Sequence, residues 1–187
     1  MTFISTTLVA KRMELLHELL PNGATIAYLT APQNPNSELE LRNAREAARA
    51  VGLQVHILNA NNARDFEPAF AALIEKGAGG LIVGGSALFF GSRDQLVALA
   101  ARHAVPTIYD QREYVEAGGL ISYGSSIADA YRLTGVYVGR ILKGEKPADL
   151  PVQQSVKVEL LINLKTAKAL GLTLSLPLIG RADKVIE

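Results

Sequence analysis

The feature that most constrains this chain is a short apolar run, fit for a buried strand, that stops at a loop of small, polar or aromatic residues and gives way to a helical pattern. It recurs as Ala24–Thr30 (ATIAYLT), Leu53–Leu58, Gly80–Val83 and Val105–Tyr109, with onsets roughly every 25 to 29 residues, the length of a βα unit. Right-handed crossovers between such units build a parallel sheet with helices on both faces. An α/β fold with a doubly wound parallel sheet is therefore expected. With 187 residues the chain suits one domain, or one domain plus appendages.

The segments between the runs carry helix signals. Ala10–Leu20 places Met13, Leu16 and Leu20 on one face with Lys11, Glu14 and Glu18 opposite, an amphipathic helix that Pro21-Asn22-Gly23 ends. Ser37-Glu38-Leu39-Glu40 has capping-box spacing: the serine oxygen accepts from an orphan amide while Glu40 reaches back. The helix it opens holds Leu41, Ala44, Ala48 and Val51 on one face and stops at Gly52. Asp65 starts a helix with Phe66, Phe70, Leu73 and Ile74, closed by Gly77, and Ser92–Gln95 is a second capping box before Leu96, Leu99 and Ala100.

A short fifth strand, Leu120–Tyr123, leads to a helix opened by Ser126. Ile127, Tyr131, Thr134, Val138 and Ile141 line one side of it, and Leu133, Val136 and Tyr137 the other. A helix this apolar all round should be covered on two sides. Val156–Ile162 alternates like an edge strand, Asn163 caps a further helix, and the tail from Leu172 to Glu187 has no evident place in the core.

Composition narrows the function. A net charge of +1 gives no reason to expect nucleic acid or an anionic membrane as partner. The chain has no cysteine, so thiol nucleophiles, disulfides and thiolate metal sites are all excluded. His17, His56 and His103 lie far apart with no carboxylate at ligand spacing, so neither a metal site nor a cofactor is expected. No apolar run approaches the roughly 20 residues needed to span a bilayer. Met1–Ala10 lacks the pattern of a signal peptide, so a chain starting at Met1 would stay in the cytoplasm. Gly84-Gly85-Ser86 ends a strand without the lysine of a phosphate loop, and Ser86 lacks the frame of a nucleophile elbow. No catalytic residue emerges, and a binding protein is expected rather than an enzyme.

In open α/β sheets the ligand crevice lies outside the carboxyl ends of the strands, which directs attention to Gly84–Phe90 and Tyr109–Glu113. Taken as extended, Phe89-Phe90 can turn only one ring inward, leaving the other to offer a ligand a flat apolar wall. Tyr109, Asp110, Arg112 and Glu113 form either a solvated loop or charges placed for an amino or carboxylate group.

Several segments together resemble a known family. Lys11–Leu16 (KRMELL), Asn34-Pro35-Asn36, Phe89-Phe90, Ala117–Gly124 (AGGLISYG), Ile141–Pro147 (ILKGEKP) and Asn163–Lys168 (NLKTAK) look like the ABC-transporter substrate-binding proteins of the tryptophan/tyrosine-binding type. The resemblance implies a periplasmic-binding-protein fold of the first type: two α/β lobes that close on a small solute and dock on a membrane permease. It also implies a signal peptide and a whole first lobe ahead of the position of Met1, and hence a periplasmic location. On that basis residues 1–121 are expected to form the second lobe, 122–150 the hinge and a crossover helix of the first lobe, and 151–187 a return strand, helix and tail. The crossover helix, without its lobe, could pair two copies as a homodimer. Carried over, the positions facing the cleft are Asn34, Ser37, Ser86, Phe89, Tyr109 and Glu113, with Tyr123 near a hinge. The implied role is the solute-binding component of an importer, for an amino acid or related small organic solute. The alternative is a small-molecule effector domain of a transcription regulator, which shares the fold but adds a basic DNA-binding headpiece.

Overall fold

The computed structural model describes residues 8–21, 24–151 and 157–187. Helix α1 (Val9–Leu19) precedes strand β1 (Thr25–Thr30), α2 (Ser37–Ala50), β2 (Val55–Asn59), α3 (Phe66–Glu75) and β3 (Ala78–Val83). Two helices, α4 (Ala87–Gly91) and α5 (Arg93–Arg102), lead to β4 (Thr107–Tyr109), α6 (Arg112–Glu116) and β5 (Ile121–Ser125). Helix α7 (Ile127–Leu142) then leaves the sheet, and the chain returns as β6 (Val158–Asn163), α8 (Leu164–Ala169), α9 (Leu176–Gly180) and β7 (Lys184–Ile186). The predicted turn residues Asn22 and Gly23 and the predicted strand start at Val156 lie outside the described residues.

The strands form one sheet in the order β2-β1-β3-β4-β5-β6-β7. All pairings are parallel except β5–β6, which is antiparallel. The first five strands have the doubly wound order in which a crevice opens where the winding reverses, here between the carboxyl ends of β1 and β3.

Strand side chains alternate between two cores. Ala27, Leu29, Leu81, Val83 and Tyr109 pack with the Phe66, Phe70 and Leu73 face of α3 and with Leu96 and Leu99 of α5. Ile26, Tyr28, Ile82 and Ile108 pack on the other face with Met13 and Leu16 of α1, Ala44 and Ala48 of α2, and Ala167 of α8. The doubly wound α/β reading thus holds, and Phe66, Ala69, Phe70 and Leu73 are buried at the i, i+3, i+4, i+7 spacing that makes one helical stripe.

Several local expectations are corrected. Helix α2 begins at Ser37 itself, with Asn36 before it and no side-chain cap; the Ser37 hydroxyl donates instead to the Pro32 carbonyl at 3.3 Å. Ser92 precedes α5 but its side chain does not cap. A reciprocal capping box does occur, one turn before α3, between Asn62 and Asp65. Strand β6 is no edge: it is buried from Glu159 to Asn163 between two neighbours, because the tail folds back as α9 and supplies β7 as the outer strand. Asn163 caps α8 through its Oδ1, which accepts from the Thr166 amide at 3.1 Å.

Candidate functional site

The loops after β1, β3, β4 and β5 converge on a single cleft at the carboxyl edge of the sheet, enclosing about 330 Å³. Asn34, Asn36, Gly85, Ser86, Phe90, Gln111, Ser125 and Ile127 line it, and Arg12, Glu40 and Asp110 form its floor. The loops are stitched together by short contacts. Asn34 donates its side-chain amide to the Gly85 carbonyl and accepts from the Asn36 amide at 3.1 Å, so it bridges the first and third strand ends. Ser86 caps α4, accepting from the Leu88 amide at 3.2 Å.

Two glycines let the floor assemble. A Cβ on Gly84 would stand 2.9 Å from the Leu29 carbonyl oxygen and 3.1 Å from Glu40 Oε2. On Gly124 it would stand 1.7 Å from the Asp110 carbonyl oxygen, far inside contact distance. Only a residue without a side chain allows β5 to close against the end of β4 here.

The floor is a buried group of charges from three separate elements. Arg12 of α1 is 0% exposed, Glu40 of α2 is 2% and Asp110, just past β4, is 7%. Arg12 Nε donates to the Tyr123 carbonyl at 3.1 Å, which ties α1 to β5. Tyr28 donates its hydroxyl to Glu40 Oε2 at 3.0 Å. Burial pushes the Glu40 carboxyl above the usual carboxylate range, against the Tyr28 hydrogen bond and the Arg12 charge that hold it down. Burial likewise raises Asp110, opposed chiefly by Arg12. The Tyr28 phenol is raised too, by burial and by the neighbouring Glu40 charge.

The cleft therefore offers hydrogen-bond acceptors beside an aromatic edge. Gln111 Oε1 and Ser125 Oγ are buried and make no hydrogen bond. Phe90 is half-buried, with the Arg93 guanidinium 5.3 Å from its ring centre. No group of three or more histidines and acidic residues suited to a metal occurs among the described residues.

The sequence-predicted residues divide. Asn34 and Ser86 line the cleft. Ser37 is buried at the start of α2, held to the Pro32 carbonyl. Phe89 does not face the cleft: the segment is helical rather than extended, and the ring packs edge-on against Phe66 at 5.8 Å in the core while Phe90 takes the cleft side. Tyr109 also points into the core, stacked on Tyr114 at 4.5 Å, and burial raises its phenol. Glu113 lies on α6 beside Asp110 with Oε2 buried and without a hydrogen bond, and Tyr123 contributes its carbonyl to Arg12 while its ring packs in the second core.

Arg12 and Glu40 were not foreseen as site residues. Arg12 sits at i+3 from Val9 and i−4 from Leu16, on the apolar stripe of α1, and a lone charge on such a stripe is the signal that could have found it.

Comparison with known proteins agrees with this architecture. A family model described as ABC transporter substrate binding protein matches residues 4–186. A tyrosine-binding protein of Clostridioides difficile (strain R20291) is 23% identical over 164 residues, covering 88% of this chain and 47% of that protein. A Streptococcus pneumonia domain solved in complex with L-Trp superposes with a TM-score of 0.84 at 26% identity, covering 95% of this chain and 60% of that one. A conserved domain protein of Vibrio cholerae does so with a TM-score of 0.83 at 25% identity and the same coverage. The chain thus spans about half the length of the curated relative and 60% of these solved chains.

Proposed function

This chain belongs to the ABC transporter substrate-binding protein family, and we propose that its cleft is one wall of a site for an amino acid or related small organic solute, carried to the permease of an importer. The observation that carries the reading is the convergence of four strand-end loops on one partly apolar cleft with a few fixed polar groups, the usual build of a small-molecule site. Phe90 and Ile127 supply apolar surface, while Asn34, Gln111 and Ser125 supply hydrogen bonds. In this reading each of these groups holds the solute by a hydrogen bond or an apolar face.

In this reading residues 1–121 act as one lobe, 122–150 carry the hinge and a helix crossing to a second lobe, and 151–187 return to the sheet. The second lobe supplies the opposing wall, and closure follows from tighter solute binding by the closed form. The protein works outside the cytoplasmic membrane; among the described residues no helix is long and apolar enough to cross one. The solute names of the L-Trp-bound and tyrosine-binding relatives make aromatic amino acids the first ligands to try.

A thermal-shift series with L-tryptophan, L-tyrosine, L-phenylalanine and aliphatic amino acids tests the reading. A binder of the folded state raises the melting temperature progressively with concentration. Loss of that shift in Phe90→Ala, with the fold intact, assigns the ligand to this cleft; a shift unchanged in Phe90→Ala and Gln111→Ala overturns the assignment.

A further inference from the structure

The cleft floor sets one guanidinium against two carboxylates, all three buried and each on a different element. That inventory leaves one negative charge without a cation inside a poorly solvated site, a costly arrangement unless a proton or another cation joins it. We propose that Arg12, Glu40 and Asp110 together hold one proton in the ligand-free protein, and that a solute with a protonated nitrogen displaces this proton to solvent as it binds. The inference rests on the solute-site reading above and adds to it the class of solute and a linkage to pH.

The surroundings support a cation at this position. Glu40 faces Tyr28 of β1, Arg12 of α1 and Asp110; Asp110 faces Arg12, Glu40, and Glu113 and Tyr114 of α6. Arg93 of α5 stands over the Phe90 ring, 5.3 Å from its centre, and its charge also reaches Tyr114. Gln111 Oε1, buried without a hydrogen bond, adds an acceptor at the same wall and can take only a donor. Burial raises both carboxyl groups, which favours the protonated form of either in the ligand-free floor. On binding, the neutral carboxyl loses its O–H proton to the buffer, and the carboxylate so formed accepts hydrogen bonds from the ammonium. Charge balances: a proton leaves and a monocation enters the floor.

The test is titration calorimetry of the protein with L-tryptophan, tryptamine and indole-3-propionate at one pH in phosphate and in Tris, followed by a pH series. For the two amines the measured heat should differ between the buffers, because Tris takes up a released proton with a large enthalpy and phosphate does not. Their affinity should rise by up to tenfold per pH unit below the floor's apparent pKa. Indole-3-propionate, which lacks the nitrogen, should show neither effect. The near-isosteric Asp110→Asn and Glu40→Gln, checked for folding by melting, should flatten the pH slope. Equal heats in both buffers and a flat profile for L-tryptophan overturn the inference and leave the solute site standing. Binding of indole-3-propionate with the same slope as L-tryptophan also overturns it. Absence of binding by all three probes at every pH overturns both readings together.

Discussion

Helices α3 and α7 are both rich in apolar residues, yet the molecule treats them oppositely. Helix α3 buries Phe66, Ala69, Phe70 and Leu73 against the sheet. Helix α7, at 16 residues against 10, buries only Ala130 and leaves Tyr131 73% and Leu142 82% exposed. The same contrast runs through the glycines: Gly124 has no room for a Cβ, whereas Gly135 and Gly139 in α7 have open space around them. An apolar pattern states that a surface wants cover. It does not state that the chain itself provides the cover, and large exposed apolar patches usually mark an interaction surface.

The sharpest break of this comparison would come from truncating a side chain in each helix. Phe66→Ala should lose about 3–5 kcal/mol of stability in denaturant unfolding, since it opens a cavity beside Phe89 and Phe70. Leu142→Ser should change stability by less than about 0.5 kcal/mol. It should nonetheless reduce self-association in light scattering and the binding of an apolar dye. Comparable stability losses at both positions would show that α7 is covered after all.

Glycine replacement comes next. Gly124→Ala should cost about 3 kcal/mol, at the upper end for overpacking, because the new methyl overlaps the Asp110 carbonyl. Gly139→Ala should instead stabilise by about 0.5–1 kcal/mol, as alanine is the better residue in an open helix interior. A destabilising Gly139→Ala would reveal a close neighbour on α7.

Of the three leading effects, the smallest belongs to the floor of the cleft. Asp110 has its folded-state pKa raised by burial, so the folded protein holds this proton more firmly than the unfolded chain. Its favourable contribution is complete below the unfolded pKa of about 3.9 and is lost as pH rises through the folded value. Asp110→Asn removes that loss. It should stabilise by about 1 kcal/mol at pH 8 and by nothing measurable near pH 3.5, read from melts across the range. A gain that is constant with pH would mean that the carboxyl is already ionised throughout.

The alternation of apolar runs with helical stripes was enough to read the sheet and its two faces, because burial imposes period 2 on strands and a three-to-four spacing on helices. The site was read less completely, for reasons visible in single residues. Ser37 and Glu40 match a capping box, but Glu40 lies under Gly84 within reach of the Tyr28 hydroxyl, and a buried partner 12 positions upstream has no local signal. Strand alternation lets only one of Phe89 and Phe90 turn inward without saying which, and the resemblance puts Phe89 at the cleft; one turn of helix there sends Phe89 into the core and leaves Phe90 on the cleft. Strand β7 has only three residues and is a strand because β6 offers it an edge, which no window on the tail reports.

The antiparallel seam between β5 and β6 has a further meaning. Ser125 pairs with Val158, and the Ser126 amide donates to the Lys157 carbonyl at 2.9 Å. Everything from Ser126 to Lys157 therefore departs from and rejoins the sheet at a single rung of its ladder. Topologically the span is a cassette whose two ends are already held together by the body that carries it. Loop-closure entropy grows only slowly with length, so such a cassette can be lengthened, trimmed or exchanged for another module at little thermodynamic penalty to the sheet. The fold thus separates a sheet whose shape the seam fixes from a span, beyond the cleft-lining Ile127, whose length the sheet does not dictate.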